Sequence, residues 1–279
     1  VENKNAYLNF YINKSLLTEE ILKETVNKKE NFGKSEIGKG KNIVLDYSST
    51  NIAKPFHIGH IRSTVIGDSL KRIFNFLGYK TVAVNHLGDY GTQFGMLIYA
   101  YKTWGNKEEI ENDPIPELLK LYVKVNEVAE EDAEVKEECR YWFKELENKN
   151  EEAVKIWKWF REISLKEFNR VYDMLDIHFD SYNGESFYSD MLPEVIKEIR
   201  DKNLLEESEG AEIIDLDKYD LPPAIVVKSD GTSIYLTRDI AAAKYREENY
   251  NPDQIIYVVA TQQSLHFKQL RAVLKEMGE

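Results

Sequence analysis

The 279-residue chain is acidic: 37 Lys and Arg face 49 Asp and Glu, and the net charge of −12 argues against a general nucleic-acid binder. Its 42% hydrophobic content is typical of a globular protein, and a single cysteine, Cys139, excludes an internal disulfide framework and favours a reducing compartment. Because no apolar run approaches the ~20 residues that span a bilayer and no signal peptide opens the chain, we expect a cytoplasmic protein without a membrane partner.

Residues 1–42 are predicted to be the remnant of an appended domain, followed by a linker. Residues 6–12 alternate enough between apolar and polar side chains to form a strand, and Thr18 is expected to cap a helix that reaches about Asn31. The glycine- and lysine-rich stretch 33–41 then predicts a flexible, basic linker.

Residues 43–105 predict the first half of an α/β domain. The apolar run 43–45 suits a buried strand, and apolar residues at helical spacing predict a helix over 57–77. Residues 80–85 predict a second strand and 93–104 another helix, so the two strands should be parallel with a right-handed crossover. This segment holds six basic and three acidic side chains, which suits a phosphate site, although counting noise is the alternative.

The remaining chain is predicted to hold two parts, 106–190 and 191–279. The first is helical over 106–176, and its aromatic stripes are interpreted as core-facing residues. The second is expected to combine a small β insertion with the second half of the α/β domain. Its predicted elements are a helix over 192–202, hairpins over 204–216 and 225–236 (the latter on an Asp230-Gly231 turn), a helix over 238–248 capped by Thr237, a strand over 254–260 and a helix from Gln263 or Ser264 to Met277.

Two polar loops are expected to converge, because ligands of parallel sheets bind at the carboxyl ends of the strands. One loop leads into the sequence HIGH at 57–60, where a helix start offers free N–H groups and the positive end of its dipole. The other loop spans 86–92. His57 and His60 can lie on one side of the first turn and donate hydrogen bonds to a phosphate, while Lys54 adds positive charge. A zinc half-site and simple capping by the histidines stay open as alternatives.

Five long segments resemble class I aminoacyl-tRNA synthetases, in the form typical of arginyl-tRNA synthetases. They follow the order of that family and are VLDYSSTNIAKPFHIGHIRSTVIGD (44–68), VNHLGDYGTQFG (84–95), FNRVYDMLDIHFDSYNGESFY (168–188), IYLTRDIAAAKYR (234–246) and QQSLHFKQL (262–270). The resemblance covers most of residues 43–279. It implies an α/β fold with a Rossmann-like parallel sheet, a HIGH-type nucleotide site, a helical insertion and a small β-hairpin insertion.

The resemblance also implies a reaction and its participants. Arginine and ATP would form arginyl-adenylate with loss of pyrophosphate, and the arginyl group would pass to the 3′ end of its tRNA, which must be bound for activation. His57 and His60 match the histidines that contact the ATP phosphates and stabilise the transition state. Gly59 and His266 are expected to contact ATP, and Lys54 to share in catalysis. We expect Mg²⁺ to accompany ATP, no tightly bound protein metal, and a monomer.

Arginine carries a planar guanidinium with five donors, which carboxylates in a fixed geometry select best. By the resemblance, the arginine site comprises Asp46, Ser48, Asn51, Tyr235, Asp239 and Gln263. We assign the guanidinium to Asp239 and Tyr235. The α-amino group is assigned to Asp46 and Asn51, with support from Gln263. Taken alone, Asp239 could instead complement a helix dipole, Tyr235 could be ordinary core and Asp46 could form a turn.

Two features of the family are missing from this sequence: its second signature, KMSKS, and its helical anticodon-binding domain. We therefore expect a truncated catalytic core whose full reaction requires the missing part. Where that signature is degenerate in the family, the lysine matching Lys54 takes over part of its role. The alternatives are a synthetase-like module that binds arginine or tRNA without catalysis, and a class I ligase for another amino acid. His86 and Asp89 lie on the second loop without an assigned role.

Overall fold

The computed structural model describes residues 1–229 and 235–279. Within these residues the strands are β1 (Glu2–Lys4), β2 (Tyr7–Asn9), β3 (Asn42–Tyr47), β4 (Lys80–Val84), β5 (Glu206–Ser208), β6 (Ala211–Ile214), β7 (Ala224–Val227) and β8 (Gln254–Val258). The α-helices are α1 (Lys14–Lys28), α2 (Ile58–Phe76), α3 (Thr92–Trp104), α4 (Lys107–Asn112), α5 (Pro114–Glu131), α6 (Ala133–Glu147), α7 (Glu151–Met174), α8 (Glu185–Tyr188), α9 (Leu192–Asp201), α10 (Tyr235–Tyr250) and α11 (Ser264–Met277). None of the described helices is both long and apolar enough to cross a membrane.

A parallel sheet in the order β4–β3–β8 organises the site, and it confirms the predicted strand–helix–strand unit. Residues 43–47 of β3 are all buried, as expected for a central strand with a neighbour on each edge. Asp46 lies in register with Val84 of β4 and Tyr257 of β8. The three strands therefore bring their carboxyl ends to one edge of the sheet.

Helix α2 starts and stops where the apolar spacing predicts. His57 keeps an extended backbone and caps the helix, while Gly78 adopts φ +86° just after the last turn. This left-handed conformation suits glycine, which has no Cβ to clash with the preceding carbonyl. The predicted linker, residues 33–41, packs against this end of the helix. Ser35 N and Gly38 N donate to the carbonyl oxygens of Phe76 and Leu77 at 3.3 and 3.0 Å.

The amino-terminal region differs from its prediction in two details. The strand predicted over 6–12 is reduced to β2, which pairs antiparallel with β1. Thr18 as the cap of the following helix is wrong, because Asn13 takes that position and its Oδ1 accepts from Ser15 N at 3.0 Å and Leu16 N at 3.2 Å. An asparagine side chain reaches the free amides of the first turn better than a residue one turn later can.

Helices α4 to α7 confirm that residues 106–176 are helical. Asn106, Asp132 and Asn150 each start one of these helices by accepting backbone N–H bonds with the side chain. Together with α3, the insertion encloses a buried core that contains Phe94 and Phe160. The interpretation of the aromatic stripes as core residues is thereby confirmed.

A second, antiparallel sheet in the order β5–β6–β7 confirms the hairpin predicted over 204–216. The Asp230-Gly231 turn of the hairpin predicted over 225–236 lies outside the described residues, but the end of that hairpin is wrong, because Tyr235 and Leu236 begin α10. Thr237 as a helix cap is wrong: it lies inside α10, fully buried, and its Oγ1 donates to Val226 O at 2.9 Å. The hydroxyl thus ties α10 to the small sheet. The predicted last helix is confirmed as α11, with Gln263 as its cap.

Candidate active site

The loops that follow β3 and β4 are joined by backbone hydrogen bonds at the carboxyl edge of the sheet. Ile52 N donates to Gly88 O at 3.1 Å, and Gly88 N donates to Thr50 O at 3.0 Å. A Cβ on Gly88 would lie 2.1 Å from Asn51 Oδ1, so a larger residue here would displace the Asn51 side chain. The two polar loops therefore converge, as predicted, and Asn51 lies at their junction.

The loop after β3 has an unusual backbone. Ser48, Ser49 and Ala53 take φ values of +73°, +48° and +60°, a region that non-glycine residues rarely occupy. Such conformations persist only where the surrounding structure enforces them, and they concentrate at functional sites. Here the loop is enforced by a buried hydroxyl group, since the Ser48 Oγ lies 2.7 Å from Tyr172 OH and accepts from Thr64 Oγ1 at 2.8 Å. Ser48 therefore anchors the predicted arginine site to α7 and α2.

His57 and His60 form a reciprocal cap at the start of α2. Gly59 N donates to His57 Nδ1 at 3.1 Å, His57 N donates to His60 Nδ1 at 3.3 Å, and the two ring centroids are 4.0 Å apart. An imidazole that accepts on Nδ1 is neutral and carries its proton on Nε2. Burial, followed by the nearby His57, lowers the pKa of His60 to about 4, so it stays neutral near pH 7. The capping alternative is thus real, and it leaves both Nε2–H groups as donors.

Lys54 lies between this turn and the helical insertion. Its ammonium is 5.5 Å from the ring centroid of Tyr122 on α5, a cation–π distance. The contact fixes the lysine beside the loop that precedes the HIGH turn. Its predicted role toward ATP stays a prediction.

Asp46, at the end of β3, is paired inside the protein. Its Oδ2 lies 2.8 Å from Arg246 Nη2 of α10, and its Oδ1 accepts from Ser49 Oγ at 3.0 Å. Both charged side chains are almost fully buried. Asp46 therefore already holds one guanidinium, that of Arg246. The sequence offered a signal for this residue, since Arg246 lies seven positions after Asp239 and so on the same face of a helix.

Asp239 contacts two histidines from two other elements. Its Oδ2 lies 2.6 Å from His266 Nε2 at the start of α11, and its Oδ1 lies 3.7 Å from His86 Nε2 after β4. The carboxylate keeps about a fifth of its surface exposed. Tyr235 stands beside it, with its ring centroid 4.8 Å from that of His266 and more than half of its surface exposed. Gln263 is exposed one residue before α11.

Asp89 is a structural residue. It is fully buried, and its carboxylate accepts from Ser186 N at 2.8 Å, Ser186 Oγ at 2.9 Å and Arg161 Nε at 3.0 Å. Its carbonyl also accepts from Trp157 Nε1 at 2.8 Å. These bonds join the second loop to α7 and α8. A carboxylate with this many donors positions the loop that carries His86.

Glu185 is a titratable residue beside the site that sequence reasoning did not single out. Burial raises its pKa to about 7, while Arg238 lowers it and the charges of Asp239 and Asp89 raise it further. It lies in the segment 168–188, which resembles the synthetase family, but the sequence around it does not predict that its carboxyl group is buried. Only the packing of α8 against α10 reveals it.

In residues 1–229 and 235–279, no group of three or more His, Cys, Asp or Glu side chains could hold a metal ion. The pair His57 and His60 therefore gains no further ligand of these types within the described part of the chain. Each of the two rings instead uses its Nδ1 for capping.

The parallel sheet, its helical insertion and the loops at its carboxyl edge correspond to the catalytic domains of class I aminoacyl-tRNA synthetases. A family model described as "tRNA synthetases class I (R), catalytic domain" matches residues 21–279. The chain belongs to this family, the class I arginyl-tRNA synthetases.

Curated relatives agree with this assignment. The chain is 58% identical over 278 residues to the arginine–tRNA ligase of Halothermothrix orenii, covering 100% of this chain and 49% of that protein. It is 57% identical over 273 residues to the arginine–tRNA ligase of Clostridioides difficile, covering 98% and 48%. The chain thus spans about half the length of these relatives.

Solved structures are similar in fold. The arginyl-tRNA synthetase of Plasmodium falciparum matches with a TM-score of 0.74 at 32% identity, covering 95% of this chain and 46% of that chain. The Thermus thermophilus arginyl-tRNA synthetase matches with a TM-score of 0.71 at 19% identity, covering 94% and 49%, which concerns the fold alone.

Proposed function

We propose that the protein is an arginine–tRNA ligase, which activates L-arginine with ATP and transfers it to the 3′ end of its tRNA. The observation that carries the proposal is the position of Asp239, a partly exposed carboxylate beside Tyr235 on the side of the sheet where the HIGH loop leaves β3. A carboxylate in this setting selects a guanidinium, because a neutral competitor would shield its Oδ1 from water without supplying a charged donor to it.

In this proposal, Asp239 and Tyr235 hold the guanidinium of the substrate. Asn51 lies at the junction of the two loops and receives the α-amino group, with support from Gln263. Asp46 would accept a hydrogen bond from the same α-amino group. It already accepts from Ser49 and Arg246, but a carboxylate offers about four lone-pair positions, so a further donor can be accommodated.

Adenylate formation would place ATP against the HIGH turn. A carboxylate oxygen of arginine attacks the α-phosphorus, the bond from that phosphorus to the bridging oxygen breaks, and pyrophosphate leaves. His57 and His60 then supply Nε2–H donors to the charge that develops on the phosphates, with Gly59 permitting close approach and Lys54 adding positive charge. Mg²⁺ would accompany ATP as part of the substrate.

His266 remains a proposed contact for the adenosine. Its Nε2 is bonded to Asp239, so this contact would use Nδ1 or the face of the ring. In the transfer step, a ribose hydroxyl of the terminal adenosine attacks the arginyl carbonyl, and AMP leaves.

A groove of about 970 Å³ beside α10 is the proposed entry for the 3′ end of the tRNA. Its charged lining is five basic side chains and one acidic one, although the chain as a whole is acidic. These residues are Arg140, Lys144, Arg200, Lys228, Arg238 and Glu147, together with the aromatic rings of Tyr90, Phe143 and Tyr235. Phosphate contacts combined with base stacking are how proteins hold single-stranded nucleic acid.

A charge reversal tests this groove. Lys144→Glu should weaken tRNA binding about fivefold, because one phosphate contact becomes repulsive, with no change in the KM for arginine. The matched control is Lys136→Glu, an exposed residue on the same helix outside the groove. Equal tRNA affinity in both variants would contradict the proposed entry.

The function itself is tested with the full-length product of the gene. We expect arginine-dependent exchange of pyrophosphate into ATP in the presence of tRNA, and none with lysine or glutamine. Exchange that depends on another amino acid would contradict the proposal. Binding of arginine or tRNA without exchange would support a binding module instead.

We also propose that the protein acts in the cytoplasm as a monomer. The chain has a single cysteine, the buried Cys139, and a sequence without an internal disulfide is typical of a reducing compartment. Light scattering of the full-length product would give the oligomeric state directly, and a dimeric mass would contradict the second part of this proposal.

A further inference from the structure

A continuous series of charged and polar side chains runs under the candidate arginine site. Asp46 Oδ2 lies 2.8 Å from Arg246 Nη2, and the same Nη2 lies 3.2 Å from His86 Nδ1. His86 Nε2 lies 3.7 Å from Asp239 Oδ1, and Asp239 Oδ2 lies 2.6 Å from His266 Nε2. The series joins β3, the loop after β4, α10 and α11.

The chemistry of Arg246 decides the protonation of His86. A guanidinium has donors and no acceptor, so the Nη2–Nδ1 contact is a hydrogen bond only if His86 accepts on Nδ1. His86 is then neutral and carries its proton on Nε2, which faces Asp239. Burial is the largest effect that lowers the pKa of His86, and the Arg246 charge lowers it too, although the charges of Asp46, Asp239 and Asp89 raise it.

The orientation of the His86 ring is fixed by stacking. Its centroid lies 5.5 Å from that of Tyr188, and the two planes are inclined by only 9°. No hydrogen-bond partner of His86 Nε2 occurs within residues 1–229 and 235–279, and this atom is buried. The 3.7 Å separation is longer than a hydrogen bond, so His86 acts on Asp239 through its N–H dipole and a small closing movement suffices to bond them.

We propose that His86 is a positioning residue for substrate arginine, which keeps Asp239 oriented and available because Arg246 holds His86 neutral with its N–H toward that carboxylate. A protonated His86 would be a cation beside Asp239 and would compete with the substrate guanidinium. The internal guanidinium of Arg246, neutralised by Asp46, prevents this. The proposal rests on the proposed function, since it specifies how the arginine site is prepared.

Other charges face Asp239 as well, and the test must separate them from His86. His266 of α11 bonds to its second oxygen, Glu185 of α8 lies near it, and Arg238 is its neighbour on α10. None of these three residues contacts Asp239 by way of Arg246 and His86. A substitution of His86 alone therefore isolates the series described here.

The experiment compares His86→Leu with His86→Gln in the full-length product, using tRNA-dependent pyrophosphate exchange. Leucine fills the space without a polar group, whereas glutamine can accept from Arg246 and donate toward Asp239. We expect His86→Leu to raise the KM for arginine about tenfold while the KM for ATP stays within about twofold, and His86→Gln to recover most of the loss. The control is His178→Leu, an exposed histidine outside the site, which should change neither constant.

Four outcomes overturn the proposal. An unchanged arginine KM in an active His86→Leu variant overturns this inference alone. A parallel rise in both KM values, or a glutamine variant no better than leucine, would give His86 a merely structural role. Absence of arginine activation by the wild-type protein overturns the proposed function, and the inference with it.

If His86→Leu does not fold, the nitrogen chemical shifts of the His86 ring in the wild-type protein give the answer, assigned by comparison with His86→Gln. We expect the neutral Nε2–H form to persist between about pH 5 and 8, where an unperturbed histidine titrates. An Nδ1–H form, or titration within this range, would overturn the proposal.

Discussion

The HIGH turn and the proposed arginine pocket lie at the same edge of the sheet but are built in different ways. The turn is local: His57, Gly59 and His60 supply each other's hydrogen bonds within four residues. The pocket is assembled from four separate elements, which contribute Asp46, His86, Asp239 and His266. A local site depends little on the rest of the fold, whereas an assembled site depends on buried charges that must be matched across the whole domain.

The largest effect is expected at Asp239. Asp239→Asn should lower kcat/KM for arginine about 10⁴-fold, because the substrate guanidinium loses its ionised partner while the shape is kept. The KM for ATP should change little, since the HIGH turn is untouched. Pyrophosphate exchange at varied arginine and ATP measures both. A similar loss for both substrates would remove the distinction between pocket and turn.

Substitution of Arg246 should show how strongly the stability of the fold depends on pairing the buried charge of Asp46. Arg246→Met leaves the buried Asp46 without its cation and should cost about 3–5 kcal/mol of unfolding free energy. Urea denaturation measures this loss. The double variant Arg246→Met with Asp46→Asn should be more stable than the sum of the single losses predicts. Strict additivity would mean that the pair does not interact.

His60 tests whether the turn does more than cap a helix. His60→Asn keeps an acceptor near the Nδ1 position, so α2 retains its cap, but the Nε2–H donor is lost. We expect kcat to fall about 10²-fold with the arginine KM within about threefold. Unchanged kcat would leave His60 with its capping role only.

The two regions should respond to pH with opposite sign. The pKa of His60 is about 4 in the folded protein against an ordinary 6.5, so between these values the unfolded chain binds a proton on this side chain and the folded chain does not. The free energy of unfolding therefore falls as pH drops from about 6.5 to 4. The pKa of Glu185 is about 7 in the folded protein against an ordinary 4.5, so between these values the folded chain keeps a proton on this side chain and the unfolded chain does not. The free energy of unfolding therefore falls as pH rises from about 4.5 to 7.

Each of these losses of unfolding free energy amounts to at most about 2 kcal/mol, since both side chains keep some contact with solvent. Relative to wild type, His60→Gln should gain stability at pH 4 and Glu185→Gln at pH 8, as judged by urea midpoints. The same change at both pH values in either variant would contradict the pKa shifts.

The sequence predicts the local site better than the assembled one, and the reason is physical. The strand, the loop and the cap at His57 follow from neighbouring residues, as does the approach of the two loops from the parallel topology. The spacing of Asp239 and Arg246 places both on one face of α10, but the Asp46–Arg246 pair also depends on how α10 packs over β3, which that spacing does not specify. The Asp239–His266 contact likewise depends on how α10 and α11 pack together.

The errors in the predicted helix starts have a similar origin. Thr18 and Thr237 both precede apolar residues and could cap a helix on local grounds. The first loses that position to Asn13, and the second is drawn into the core to bond with Val226. Competition between local signals, and between local and tertiary hydrogen bonds, decided both cases.

The central claim is that the turn and the pocket act on one molecule. The most direct measurement is a crystal structure of the full-length product with a non-hydrolysable sulfamoyl analogue of arginyl-adenylate. The account predicts the guanidinium within hydrogen-bond distance of Asp239 and Tyr235, with the phosphate-mimicking group against His57 and His60. An analogue bound with its guanidinium away from Asp239, or with its phosphate mimic away from the HIGH turn, would contradict it.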